Sequence, residues 1–84
     1  MSRSTDPVER VAANVRAELG RQRRTRRQLA AAMKSDEHRV SKRVRGLVPF
    51  SADEIVQVAR FLDVTVEELV DLPRTPVGST AGAA

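Results

Sequence analysis

His38, Ser41, Lys42 and Arg45 are spaced i, i+3, i+4 and i+7, the interval that aligns side chains along one face of a helix. An imidazole, a hydroxyl, an ammonium and a guanidinium all donate hydrogen bonds, which suits an acceptor-rich, negatively charged partner. Val40 and Val44 fall on the other side and direct it toward an apolar interior. Upstream lies a second cationic group, Arg21-Gln-Arg-Arg-Thr-Arg-Arg27. Ser35, Asp36 and His38 offer the residue types of a hydrolytic triad. Neighbours on one turn cannot orient each other and also surround a substrate, so no enzyme is expected.

The charge distribution follows the same division. The 84 residues carry a formal net charge of +4. Residues 16–45 hold eleven bases against three acids, a net of +8, whereas residues 46–84 hold two bases against six acids, a net of −4. One segment is built to meet a polyanion. The absence of cysteine excludes a disulfide framework, a thiol nucleophile and a cysteine-ligated zinc site, and a single histidine leaves a metal only carboxylates to recruit. No metal, cofactor or small-molecule ligand is expected. No apolar run approaches the roughly 20 residues of a membrane span, and the N-terminus has no apolar signal core. A soluble, cytoplasmic protein is the expectation. A chain of this size buries only about 60% of its unfolded surface, which favours a compact helical domain over an enzyme with a deep cleft.

Helices must position these groups. Asp6-Pro-Val-Glu9, Thr25-x-x-Gln28, Ser51-x-x-Glu54 and Thr65-x-x-Glu68 each place a capping oxygen three residues before Glu or Gln, the spacing of a reciprocal helix-start box. Each leads into an apolar periodicity: Val8, Val11, Ala12, Val15 and Leu19; Leu29, Ala30 and Met33; Ile55, Val58, Ala59 and Leu62; Val66, Leu69 and Val70. Residues 36–45 read as a further helix, and Pro73 is expected to stop the last one. The expected organisation is all-α: a flexible N-terminus over 1–5, a five-helix domain over 6–73 and a flexible tail over 74–84. The second helix (about 26–33) and the third (about 36–45) are joined by a very short turn, with Ala30 and Ala32 small enough for a close crossing. That is helix-turn-helix geometry, in which the second member of the pair can enter a DNA major groove.

From Val8 to Leu72 the chain resembles the lambda-repressor/Cro-like, or XRE, helix-turn-helix family. The resemblance is carried by Thr25-Arg-Arg-Gln-Leu-Ala-Ala-Ala-Met33, Val40-Ser-Lys-Arg-Val-Arg-Gly46, Pro49-Phe-Ser-Ala-Asp-Glu-Ile55 and Val58-Ala-x-x-Leu62-Asp-Val-Thr-Val-Glu-Glu-Leu69. It departs from the pattern at Arg26, where the family often has a Gln that bridges phosphate and reading helix. It departs again at Lys34 and Asp63, where glycine is common.

The resemblance implies a sequence-specific regulator of the phage Cro or immunity-repressor type, occupying an operator in double-stranded DNA as a homodimer. Mapping the family's reading positions gives Glu37, His38, Ser41 and Lys42. Three of them coincide with the face derived from helix spacing, and Lys42 is suited to guanine O6 and N7. Glu37 is open between accepting from cytosine N4 and serving the helix dipole, and Asp36 is expected to cap. The family grips phosphates where Thr25, Arg26 and Arg27 stand, with Arg24 adjoining. Arg45 and the Leu47–Val48 backbone are expected at the facing strand, and Arg39 and Arg43 flank the reading face within reach of bases or backbone. Val56, Phe61, Val70 and Leu72 are either a small dimer interface or core. Two rival functions remain: an arginine-rich RNA binder, and an antitoxin-like or adaptor module in which DNA binding is secondary.

Overall fold

The computed structural model describes residues 6–70, and over these the chain is all-helical with no strand. Five helices follow in order: α1 Pro7–Gln22, α2 Arg26–Met33, α3 Glu37–Val44, α4 Ala52–Leu62 and α5 Val66–Val70. Expectations for the two termini, including Pro73 as a stop, fall outside the described residues.

Local chemistry sets the helix starts. Thr25 and Ser51 form complete capping boxes with Gln28 and Glu54. At Thr65 the hydroxyl accepts from the Glu68 amide at 3.1 Å, and the Glu68 carboxylate accepts from the Thr65 amide at 2.9 Å. The expected box at Asp6 forms only by half. Asp6 accepts from the Val8 amide at 3.1 Å, but Glu9 turns away to pair with Arg16 at 2.8 Å. A charged partner two turns along the same face outcompetes a neutral amide at the exposed helix start.

The helix ends share one device. Arg23, Lys34 and Asp63 stand at φ 58°, 56° and 57°, and Gly46 at φ 83°. In each case the amides of that residue and the next fold back onto carbonyls of the preceding turn, as Lys34 N to Ala31 O at 3.1 Å and Ser35 N to Ala30 O at 2.9 Å show for α2. Three of these four left-handed positions carry a side chain, each at a cost of about 1 kcal/mol relative to glycine. The α2–α3 turn is therefore very short: Lys34 ends α2, Ser35 spans the gap, and Asp36 caps α3 by accepting from the Arg39 amide at 2.8 Å.

Val11, Val15, Leu19, Leu29, Ala30, Met33, Val40, Val44, Val58, Ala59, Leu62 and Leu69 form one buried cluster. α2 packs on α3 and α4, and α1 packs on α3, α4 and α5. Two α1 side chains anchor the far helices: Asn14 Nδ2 donates to Leu69 O at 2.7 Å, and Gln22 Nε2 to Leu62 O at 2.8 Å. Some expected core positions move outward. Val8 and Ile55 are half-buried and Val66 is exposed, at the first residue of a helix only five residues long. Ala32 is also exposed. Two residues along an α-helix is about 200° of rotation, so Ala30 faces the crossing and Ala32 faces away.

Candidate nucleic-acid interface

At about 100° per residue, the buried pair Val40 and Val44 defines one side of α3. Lys42 lies almost opposite, with His38 and Arg45 beside it, and all three are exposed. Ser41 sits on the flank toward α2 and is half-buried, while Glu37 is exposed in the first turn. Asp36 is the α3 cap, so its carboxylate serves a backbone amide.

Arg26, in the first turn of α2, reaches this flank: its Nη1 donates to Ser41 Oγ at 3.2 Å. A guanidinium therefore bridges α2 and α3. Thr25 accepts from the Gln28 amide at 3.0 Å, and Arg27 is exposed beside it. Thr25, Arg26 and Arg27 thus adjoin the open face of α3, with the positive end of the α2 dipole behind them.

A cleft of about 300 Å³ opens next to this N-terminus, lined by Arg16, Leu19, Arg24, Thr25, Arg26 and Val44. Arg16 is the residue that sequence reading missed. Its Nη1 donates to Val44 O at 2.9 Å, at the C-terminal end of α3, and its Nη2 to Glu9 at 2.8 Å. A cation on the last carbonyls of a helix satisfies both the orphan acceptor and the dipole. Gly46 completes the arrangement, because a Cβ there would stand 2.5 Å from Glu9 Oε1. Glu9, Arg16 and Gly46 together fix where α3 ends. The available signal was the Glu9-to-Arg16 spacing of seven, two turns of α1 on the edge of its apolar stripe.

Several expected contacts are redirected. The sequence places Arg43 on the flank of the reading face. Instead its Nε donates to Glu54 at 3.1 Å and its Nη1 to Arg39 O at 3.0 Å, leaving the side chain 14% exposed. It precedes Val44 by one residue and follows Val40 by three, which sets it beside the buried stripe and against α4. Arg24 stacks over Phe61, 4.5 Å from the ring centroid, and donates to Phe61 O at 3.3 Å, so its guanidinium is held at the end of α4. Arg21 pairs with Glu18 at 2.6 Å. The Leu47 amide donates to Lys42 O at 2.9 Å and is taken up in closing α3. Arg39 borders a second cleft with Asp36, Asp53 and Glu54, so some acids of the rear half approach the α2–α3 turn.

Burial pushes the Glu54 carboxyl up, but bonds from the Ser51 amide and hydroxyl and from Arg43 outweigh it and hold the group below the usual carboxylate range. A depressed folded value contributes stability that is present above the unfolded value, about 4.3 for Glu, and is lost as pH falls through the folded value. Glu54→Gln should therefore lower the thermal midpoint at pH 7. The gap from wild type should close as pH falls below about 4. Midpoints between pH 3 and 7 check this; a gap constant across that range would remove the Arg43–Glu54 pair as its cause.

Among the described residues no group of three or more His, Asp or Glu is placed to hold a metal ion, and no helix is long and apolar enough to cross a membrane. Set against protein-family models, curated proteins and solved structures, the chain finds no match.

Proposed function

We propose that this chain is a sequence-specific double-stranded DNA-binding transcriptional regulator, a repressor of the phage Cro or immunity-repressor kind with a lambda-repressor-like helix-turn-helix domain. The observation that carries the reading is the open side of α3. Lys42, His38 and Arg45 project from it opposite the buried valines, alongside an α2 N-terminus that bears Arg26 and Arg27. An α-helix with its side chains is about 10–12 Å across, commensurate with a major groove about 12 Å wide. On this reading Lys42, Ser41, His38 and Glu37 meet base edges. Thr25, Arg26 and Arg27 take phosphates on one strand, with Arg16 and the adjoining cleft beside them, and Arg45 takes the other strand.

Binding rather than catalysis fits the side chains, since Asp36 is engaged as a cap. Duplex DNA is favoured over RNA because Phe50 and Phe61 pack against the core, which leaves neither ring as a platform for unpaired bases. Repression follows from covering an operator that overlaps a promoter, in the cytoplasm of a bacterial or phage-infected cell. Two copies would pair on half-sites about one helical turn apart. Val56 (41% exposed) and Val66 offer small apolar contacts for that pairing. Phe61 lies under Arg24, and Leu72 falls outside the described residues.

Selection from a random duplex pool, followed by anisotropy titrations at several salt concentrations, tests the reading. A motif of two related half-sites is expected. Arg27→Ala should weaken cognate and random duplex alike and reduce the salt slope by about one. Failure to enrich any duplex sequence, or equal affinity for structured RNA, would sink the proposal.

A further inference from the structure

We propose that the outer face of α4 docks a second copy of this chain, packed antiparallel so that Asp53 of each copy meets Arg60 of the other. The inference deepens the pairing of two copies in the reading above, and it is tested without DNA.

α4 buries Val58, Ala59 and Leu62, with Ile55 half-buried beside them. Nearly opposite stand Asp53, Val56, Gln57 and Arg60, spaced i, i+3, i+4 and i+7 and all exposed. The fold leaves this stripe open. Glu54, on its margin, is taken by Arg43 and the Ser51 amide, but among the described residues neither Asp53 nor Arg60 enters an ion pair. The helix dipole accounts for an acid in the first turn and a base in the last. It does not account for Val56 between them, an apolar side chain left 41% exposed.

The stripe reads acid, valine, glutamine, base, an order complementary to its own reverse. A twofold axis passing between Val56 and Gln57 sets Asp53 against the partner's Arg60, and Arg60 against the partner's Asp53. The uncharged residues then meet at the axis. A parallel alignment would set like charges against like, so the charges select one orientation. Exposed ion pairs add little affinity and mainly fix register. With one valine per copy and two turns of helix, the contact falls below the roughly 1,200 Å² of a stable interface. The pair is therefore weak in free solution and forms where two copies are held close, as on adjoining half-sites in the proposed reading.

The experiment is disulfide trapping with charge exchange. The chain has no cysteine, so Val56→Cys places one thiol per copy beside the twofold axis. In that background Asp53→Arg, Arg60→Asp and the double exchange are oxidised at high concentration and low salt. Each rate is divided by the same variant's rate with a small neutral disulfide, which removes the effect of nearby charge on the thiol. Leu47→Cys, an exposed site off α4, sets the rate of chance encounter. Circular dichroism confirms that every variant is folded.

Val56→Cys should link faster than Leu47→Cys, and either single reversal should slow it roughly tenfold. The double exchange should restore the rate. Mixing the two single reversals should restore it too, with a product, identified by mass, that joins one of each. Only that combination sets arginine against aspartate at both ends.

Linking of Val56→Cys no faster than of Leu47→Cys would show that this face does not pair. Rates indifferent to the charges, or a statistical mixture of products from the two single reversals, would remove the antiparallel register. Because no DNA is present, a chain that selects no duplex yet shows the rescue loses the DNA-binding reading and keeps this one.

Discussion

Leu29→Ala is expected to lower the unfolding midpoint by at least about 10 °C, the largest stability effect of any substitution considered for this chain. Leu29 is fully buried and lies on α2, the helix that packs against both α3 and α4. Removing its branched end forfeits the transfer free energy and leaves a cavity that the backbone closes only in part, together about 2–5 kcal/mol. The loss is large against a total of roughly 4–12 kcal/mol for a chain of this length. Leu47→Ala is the comparison: the same side chain, 63% exposed, with an expected change within about 0.5 kcal/mol. Thermal melts followed by circular dichroism decide. Equal midpoints for the two variants would mean that α2 is not packed as described. Because α2 carries the first-turn arginines and seats α3, on the proposed DNA-binding reading Leu29→Ala should also reduce duplex affinity in proportion to the unfolded fraction.

Helix starts and the apolar stripes were legible in the sequence because they are local. Thr25 with Gln28, Ser51 with Glu54 and Thr65 with Glu68 are three residues apart, and each box closes, even at Glu54, whose carboxylate Arg43 shares. The box at Asp6 failed for a non-local reason, since Glu9 had a second partner in Arg16 and a neighbouring loop brought close by Gly46. The arginines diverge on the same ground. Arg24, Arg26, Arg27 and Arg43 look alike as letters, yet Arg24 meets an aromatic ring and Arg43 a carboxylate, while Arg26 reaches a hydroxyl. Which guanidinium stays open toward solvent depends on what the packed helices set beside it, and spacing along one helix does not encode that. Arg43 was the nearest to being readable, because its angle from Val40 places it at the margin of the buried stripe rather than on the far face.

Lys42→Ala should separate specific from non-specific binding more sharply than any other single change on α3. Lys42 lies opposite the midpoint of Val40 and Val44, so on the proposed reading its side chain points straight into the groove. Its ammonium offers three donors and no acceptor, matched to guanine O6 and N7. On the proposed reading the loss on the selected operator is about 1–3 kcal/mol, concentrated at one base pair, with little change on random duplex. Stability should be unaffected, since the residue is exposed and alanine is a better helix former. Arg45→Ala supplies the contrast: Arg45 caps the end of α3, and if it takes a phosphate there as proposed, its loss should weaken operator and random duplex by the same factor and lower the salt slope. Anisotropy titrations of both variants on both duplexes at several salt concentrations give the four free energies needed. If Lys42→Ala costs as much on random duplex as on the operator, Lys42 grips backbone. The base-reading positions of α3 must then be sought among His38, Ser41 and Glu37 alone.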